Sequence, residues 1–225
     1  MEKRDTLGLV LGGAAALLVS LATYFALGYA PTAQRDVGGD AQRIFYFHVG
    51  IAWVAGLALL VAFVASVLYL WRGEQRKYDI VAAASVEIGV VFGIMTVASG
   101  MFWAKPAWGD WWVWDPRLTT TAITLFLYTA YLMLRGAMDD SQRRARFGAV
   151  YAIVAFASVP ITFFAARWWG GFHPPQVEMT TPMRTAMFTS LAAFSLVYLL
   201  LLRMRTRVEH TADAVALLKQ QVLSG

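Results

Sequence analysis

The chain has 225 residues, 59% of them hydrophobic and 15% charged, and its mean hydropathy is +0.55. A soluble domain carries about 45–50% apolar and about 25% charged residues, so part of the solvent must be lipid; disorder, a secreted disulfide scaffold and a soluble α/β enzyme are excluded. Cysteine is absent, which removes thiolate metal sites, cysteine nucleophiles and disulfides. The net charge of +5 reads as the basic loops of a membrane protein rather than as a nucleic-acid surface.

Six apolar stretches are long enough to cross about 30 Å of hydrocarbon at about 1.5 Å per residue. They are Leu7–Tyr29, Val49–Trp71, Ile80–Phe102, Leu118–Leu134, Phe147–Ala166 and Thr185–Leu202. The first is too long for the apolar region of a signal peptide and is expected to stay as an anchor. Gly8-x-x-x-Gly12 and Gly89-x-x-x-Gly93 predict close helix contacts, and Pro160 predicts a kink in the fifth span. Beyond Arg203, the residues Val215, Leu218 and Val222 suggest an amphipathic extension. The expectation is an all-α integral membrane protein with a six-span domain over 1–202 and a C-terminal tail over 203–225.

Basic residues give the orientation. Lys3, Arg4, Arg72, Arg76, Lys77, Arg135, Arg143, Arg144, Arg146, Arg203, Arg205, Arg207 and Lys219 fall on one side, thirteen in all. Arg35, Arg43, Lys105, Arg117, Arg167 and Arg184 fall on the other. The positive-inside rule then predicts both termini in the cytoplasm and loops one, three and five outside.

The outer loops hold the unusual residues. Trp108-Gly109-Asp110-Trp111-Trp112-Val113-Trp114-Asp115-Pro116-Arg117 places four tryptophans in seven positions. An aromatic belt at the headgroup layer explains one or two of them; four, with Trp168-Trp169 on the same face, favour a platform for a large flat or apolar ligand. Spacing would align Trp108, Trp111, Trp112 and Asp115 on a helix, but Gly109 and Pro116 argue against a continuous one. Asp115 reads as a partner of Arg117 or of the N-terminal dipole of the fourth helix.

His48 and His173 are two of the three histidines and share that face, flanked by Tyr46 and Phe172. Neutral imidazoles are good iron ligands, and a pair from separate loops could hold both axial positions of a porphyrin. Arg43, Lys105, Arg117 and Arg184 are available for its carboxylates. Zinc lacks a third and fourth ligand here. His210 reads as a solvated tail residue, and Glu87 as an ionisable group within the third span with no assigned role.

The tryptophan segment, with Leu118-Thr119 after it, resembles the "WWD" signature of haem-handling proteins in cytochrome c maturation. Arg43-Ile44-x-Tyr46-x-His48-Val49, Ala52-Trp53, Lys105-Pro106 and Trp168-Trp169-x-x-x-His173 narrow the resemblance to the CcmC family. It extends over nearly the whole chain. The resemblance implies a bacterial inner-membrane protein that binds haem b on its outer face, with His48 and His173 as axial ligands. It further implies that the loop carrying Trp108, Trp111, Trp112, Trp114, Asp115 and Arg117 contacts the haem and its chaperone CcmE. The CcmA/CcmB transporter and CcmD would be the other partners. Asp110 and Pro116 depart from the small or neutral residue and the alanine usual in the family. Two rival readings are a system II CcsA/ResC-type component, which is larger and richer in histidine, and a proton-coupled transporter built on Glu87. No enzymatic catalysis is expected, since no nucleophile triad, Walker sequence or metal-hydrolase pattern occurs.

Overall fold

The computed structural model describes residues 5–32, 39–173 and 178–224; Lys3, Arg4 and Arg35, used in the charge comparison, lie outside these. All regular structure among the described residues is helical. Helix α1 (Thr6–Tyr24) closes with a π-helical turn, Phe25–Tyr29, and a 3₁₀ turn, Gly39–Arg43, leads into α2 (Ile44–Trp71). Then come α3 (Arg76–Trp108), α4 (Pro116–Gly136), α5 (Ser141–Ala155), α6 (Ser158–Trp169) and α7 (Thr181–Ser224).

Five segments are both long and apolar enough to cross a membrane: Thr6–Tyr29, Gly39–Trp71, Arg76–Trp108, Ser141–Trp169 and Thr181–Ser224. The expected fourth span, α4, meets the length alone, since its 21 residues reach about 32 Å. Its first turns are polar: the Thr120 and Thr121 hydroxyls fold back onto the carbonyls of Pro116 and Arg117.

Helices α2 and α3 form the centre. Leu59, Ala62, Val86 and Val90 meet Tyr128, Tyr131, Ala152 and Ala155 on one side, and Ile51, Val54, Ala58, Ile88 and Phe92 meet Tyr198 of α7 on the other. Many of these side chains are small, as helix contacts in lipid require. A Cβ at Gly89 would come within 2.9 Å of Leu59, and one at Gly93 within 3.2 Å of Leu125. That glycine pair does mediate close approach. Gly12 faces open space and a Cβ at Gly8 would first meet the Asp5 side chain, so the first pair, contrary to expectation, shows no close helix contact of the Gly89–Gly93 kind.

The fifth span breaks where Pro160 predicts. Proline cannot donate to the carbonyl four residues back, so the Phe156 carbonyl accepts from Val159 N–H and the Ser158 hydroxyl takes the Ala155 carbonyl at 2.7 Å. Helix α7 runs unbroken past Leu202 and includes the expected amphipathic stretch, with Val215, Leu218 and Val222 exposed. His210, also on α7, is exposed.

At the end of the bundle remote from the tryptophans, charges are neutralised in a network. Buried Asp79 pairs with Arg76 at 2.5 Å and Arg135 at 2.7 Å, and Arg76 also reaches Glu209 and Asp213 on α7. Glu87 pairs with Arg205, and Asp5 with Arg203 and Arg207.

Candidate functional site

Three pieces of chain meet at the tryptophan end: the start of α2 with His48, the end of α3 with the loop after it, and the loop that follows α6. The expected loop 103–117 is shorter than the sequence suggested. Its residues 103–108 continue α3 as far as Trp108, Gly109 stops the helix with φ +86°, and Lys105 Nζ donates to the Gly109 carbonyl at 2.6 Å. That is a left-handed glycine termination. Residues 110–115 are irregular, so the helical alignment of Trp108, Trp111, Trp112 and Asp115 does not form.

Asp115 then caps α4. Its carboxylate accepts from Leu118 N–H at 2.7 Å while Pro116 takes the first helical position, which is where proline is pre-organised. Rather than forming the expected ion pair with Arg117, its second oxygen accepts from His173, at 3.3 Å from the backbone N–H and 3.2 Å from ring Nδ1. Gly171 permits this approach: its φ is +123°, and a Cβ there would lie 3.0 Å from Asp115 Oδ2. Burial pushes the Asp115 carboxyl up, but the hydrogen bonds from Leu118 and His173 outweigh it and hold it below its ordinary value. Burial pushes the His173 imidazole down, with Asp115 opposing.

His48 is oriented from α3. Its Nδ1 lies 2.9 Å from Ser99 Oγ, and Gly100 leaves room for the ring. His48 sits against Ser99 and Gly100 and His173 against Trp108, all on the last part of α3, so the two histidines lie at the same end of the bundle. In each ring Nδ1 is engaged by the protein, and Nε2 has no partner among the described residues.

The loop tryptophans divide into three groups. Trp108 packs edge-on with His173 and Trp103 at centroid distances of 5.1 and 5.0 Å, and tilted against Phe172 at 5.6 Å. Trp112 packs on Trp114 at 5.4 Å, and Trp111 on Phe102 at 5.9 Å. Trp114 is 77% exposed and Trp111 49%. The indole N–H groups of Trp103 and Trp112 are buried without acceptors, which fits a site awaiting a polar ligand group. Trp168 and Trp169 are exposed and lean on Phe164 and each other; they make no ring contact with the loop tryptophans among the described residues.

The four cations differ in freedom. Arg43 is committed to the carbonyls of Ala26, Leu27 and Ala30, which end the first span. Lys105 caps α3, and Arg184 donates to the Met179 carbonyl. Arg117, half-buried, has no hydrogen bond or ion pair to its guanidinium among the described residues. Tyr46 is fully buried and accepts from Gln42 at 3.0 Å, so it supports the fold beneath the site.

The profile of heme exporter protein C, CcmC, matches residues 2–220. The chain belongs to the CcmC family. Heme exporter protein C of Escherichia coli K12 is 30% identical over 199 residues, covering 86% of this chain and 80% of that protein. The Haemophilus influenzae protein of the same name is 30% identical over 201 residues, with the same shares. A cytochrome c biosynthesis ccmC-like mitochondrial protein of Marchantia polymorpha is 31% identical over 166 residues, 74% of this chain and 69% of that one.

For a CcmC-family chain the residues that sequence reasoning missed are instructive. Ser99 lies 51 positions from His48 and sits in an apolar helix, so no pattern marks it. Trp103 could have been found, because it precedes Lys105-Pro106 on the helix that delivers Trp108.

Proposed function

We propose that this protein holds haem b at the tryptophan end of the bundle, with His48 and His173 as axial ligands, and passes it to the chaperone CcmE in cytochrome c maturation. One observation carries the reading: both imidazoles are anchored through Nδ1, by Ser99 and by Asp115, and both keep Nε2 for a metal. A histidine ligand is typically held this way through its other nitrogen. Haem supplies an iron that takes two such nitrogens and a flat apolar face suited to indoles. Arg117 is the cation free for a propionate, and Trp108 and Trp112 line the ring. Trp111 and Trp114, the exposed pair, supply a docking surface of the kind that interface hot spots use.

In this reading six segments span the bacterial inner membrane, α4 and the α5–α6 pair included, with both termini cytoplasmic and the site periplasmic. CcmA/CcmB and CcmD are the assembly partners, and the chain acts as a carrier, making and breaking no covalent bond of the haem. A proton-coupled transporter is disfavoured because Glu87 is engaged by Arg205 at 2.5 Å. A single histidine pair in 225 residues disfavours the larger system II component.

The test is the absorption spectrum of the detergent-solubilised protein. His48→Ala or His173→Ala should weaken or shift the Soret band, and the double substitution should abolish it; undiminished haem in the double variant refutes the axial pair. Trp111→Ala with Trp112→Ala removes at most about 1.5–3 kcal/mol of apolar burial per side chain. Some haem should therefore stay bound while CcmE loading fails, and normal loading would return these tryptophans to the role of membrane anchors.

A further inference from the structure

The partners behind the two imidazoles differ in charge. Asp115 is fixed at three points: one oxygen by Leu118 N–H, the other by the backbone and ring N–H groups of His173. Its side chain is 2% exposed, so water does not compete for it. A buried carboxylate drawing on the Nδ1 proton makes the ring a stronger donor at Nε2. Behind His48 stand only neutral groups, the Ser99 hydroxyl and the Thr96 carbonyl. The Ser99 proton goes to the Thr96 carbonyl at 3.2 Å, so His48 Nδ1–H donates to Ser99 Oγ and the relay ends on a neutral peptide group. Charge-assisted hydrogen bonds are roughly twice as strong as neutral ones.

Resting on the axial-pair reading above, we infer that the two histidines are unequal ligands. His173, backed by Asp115, is retained, and His48, backed by Ser99, yields the iron to an incoming donor. The exchange is a ligand substitution: the bond from His48 Nε2 to iron breaks, the incoming lone pair replaces it, and no electron or proton is consumed. Asp115 and Ser99 are positioning residues whose difference sets the order of release.

Carbon monoxide on the ferrous, haem-loaded, full-length protein is the probe, because it displaces the weaker axial ligand. The wild-type complex should match that of His48→Ala in absorption and Fe–CO stretching frequency, and differ from that of His173→Ala. Asp115→Asn keeps a good helix cap and an acceptor oxygen but removes the charge. It should shift the Fe–CO frequency and speed haem loss to excess apomyoglobin about tenfold or more; Ser99→Ala should speed loss about threefold at most. If His173→Ala holds no haem, these two rates decide alone. A wild-type complex matching His173→Ala, or faster loss from Ser99→Ala than from Asp115→Asn, overturns the order of release and leaves the axial pair standing. A haem spectrum unchanged by loss of both histidines overturns the pair as well.

Discussion

Gly171→Ala isolates the contact between the two loops at the site. With φ at +123°, an alanine there costs about 1–3 kcal/mol of backbone strain. Gly170, at φ +72°, carries comparable strain, but a Cβ at Gly170 meets nothing within 4 Å. The difference lies in Asp115. A Cβ at Gly171 falls 3.0 Å from Oδ2 and 3.2 Å from both Asp115 Cβ and Pro116 Cδ, tighter than ordinary contact by a few tenths of an ångström. Asp115 cannot retreat by that much without stretching its 3.2 Å hydrogen bond to His173 beyond useful length. A hydrogen bond to a charged group contributes about 1.5–3 kcal/mol, so Gly171→Ala should hold haem roughly ten- to hundredfold more weakly than Gly170→Ala. Haem titration of both detergent-solubilised variants, with circular dichroism to verify equal helix content, measures this. Equal haem affinity in the two would refute the assignment of Asp115 as the brace of His173.

Docking of the His173 loop should depend on pH. Burial lowers the imidazole from its ordinary 6.5, so the unfolded loop binds the proton more readily, and docking is complete above that value and weakens as pH falls below it. Asp115, held below its ordinary value, adds a second loss at stronger acid; tryptophan fluorescence should report the first transition through Trp108, and His173→Gln should remove it. At the basic end, Asp79→Asn leaves Arg135, whose side chain is 11% exposed, without its countercharge. A loss of about 3–5 kcal/mol is expected, and a melting temperature within about 2 °C of the wild type would contradict it.

The helices were legible because composition and length dominate them: five of the six expected apolar runs, the break at Pro160 and an acid at the start of α4 all follow from local chemistry. That His48 and His173 would share one end of the bundle was also legible, since three histidines in 225 residues leave few combinations. What joins distant segments was not. Asp115 and His173 are 58 positions apart, and Asp79 and Arg135 are 56 apart; nothing in either neighbourhood announces the other. Arg43 looked available for a ligand because its acceptors are backbone carbonyls, which carry no sequence signal. The shelf of indoles dissolved into three groups because Gly109 turns the chain before a helical face can form.

The interruption at Phe156–Ala157 divides one crossing into two cooperative units. A break in the backbone hydrogen-bond ladder weakens the coupling between the turns on either side, so α6 is less tightly tied to α5 than one turn of a continuous helix is to the next. It is attached by the Thr124–Thr162 hydroxyl pair at 3.0 Å, by the Thr124 hydroxyl to the Ser158 carbonyl, by Val159 against the core and by the buried faces of Ala165 and Ala166, with Phe163, Trp168 and Trp169 turned outward. The half that leads into His173 thus leans mainly on α4, whereas α5 packs on α2, α3 and α4, with Tyr151 bonded to the Leu127 carbonyl. Loosening of α6 would move the His173 loop and leave α5 and the core in place.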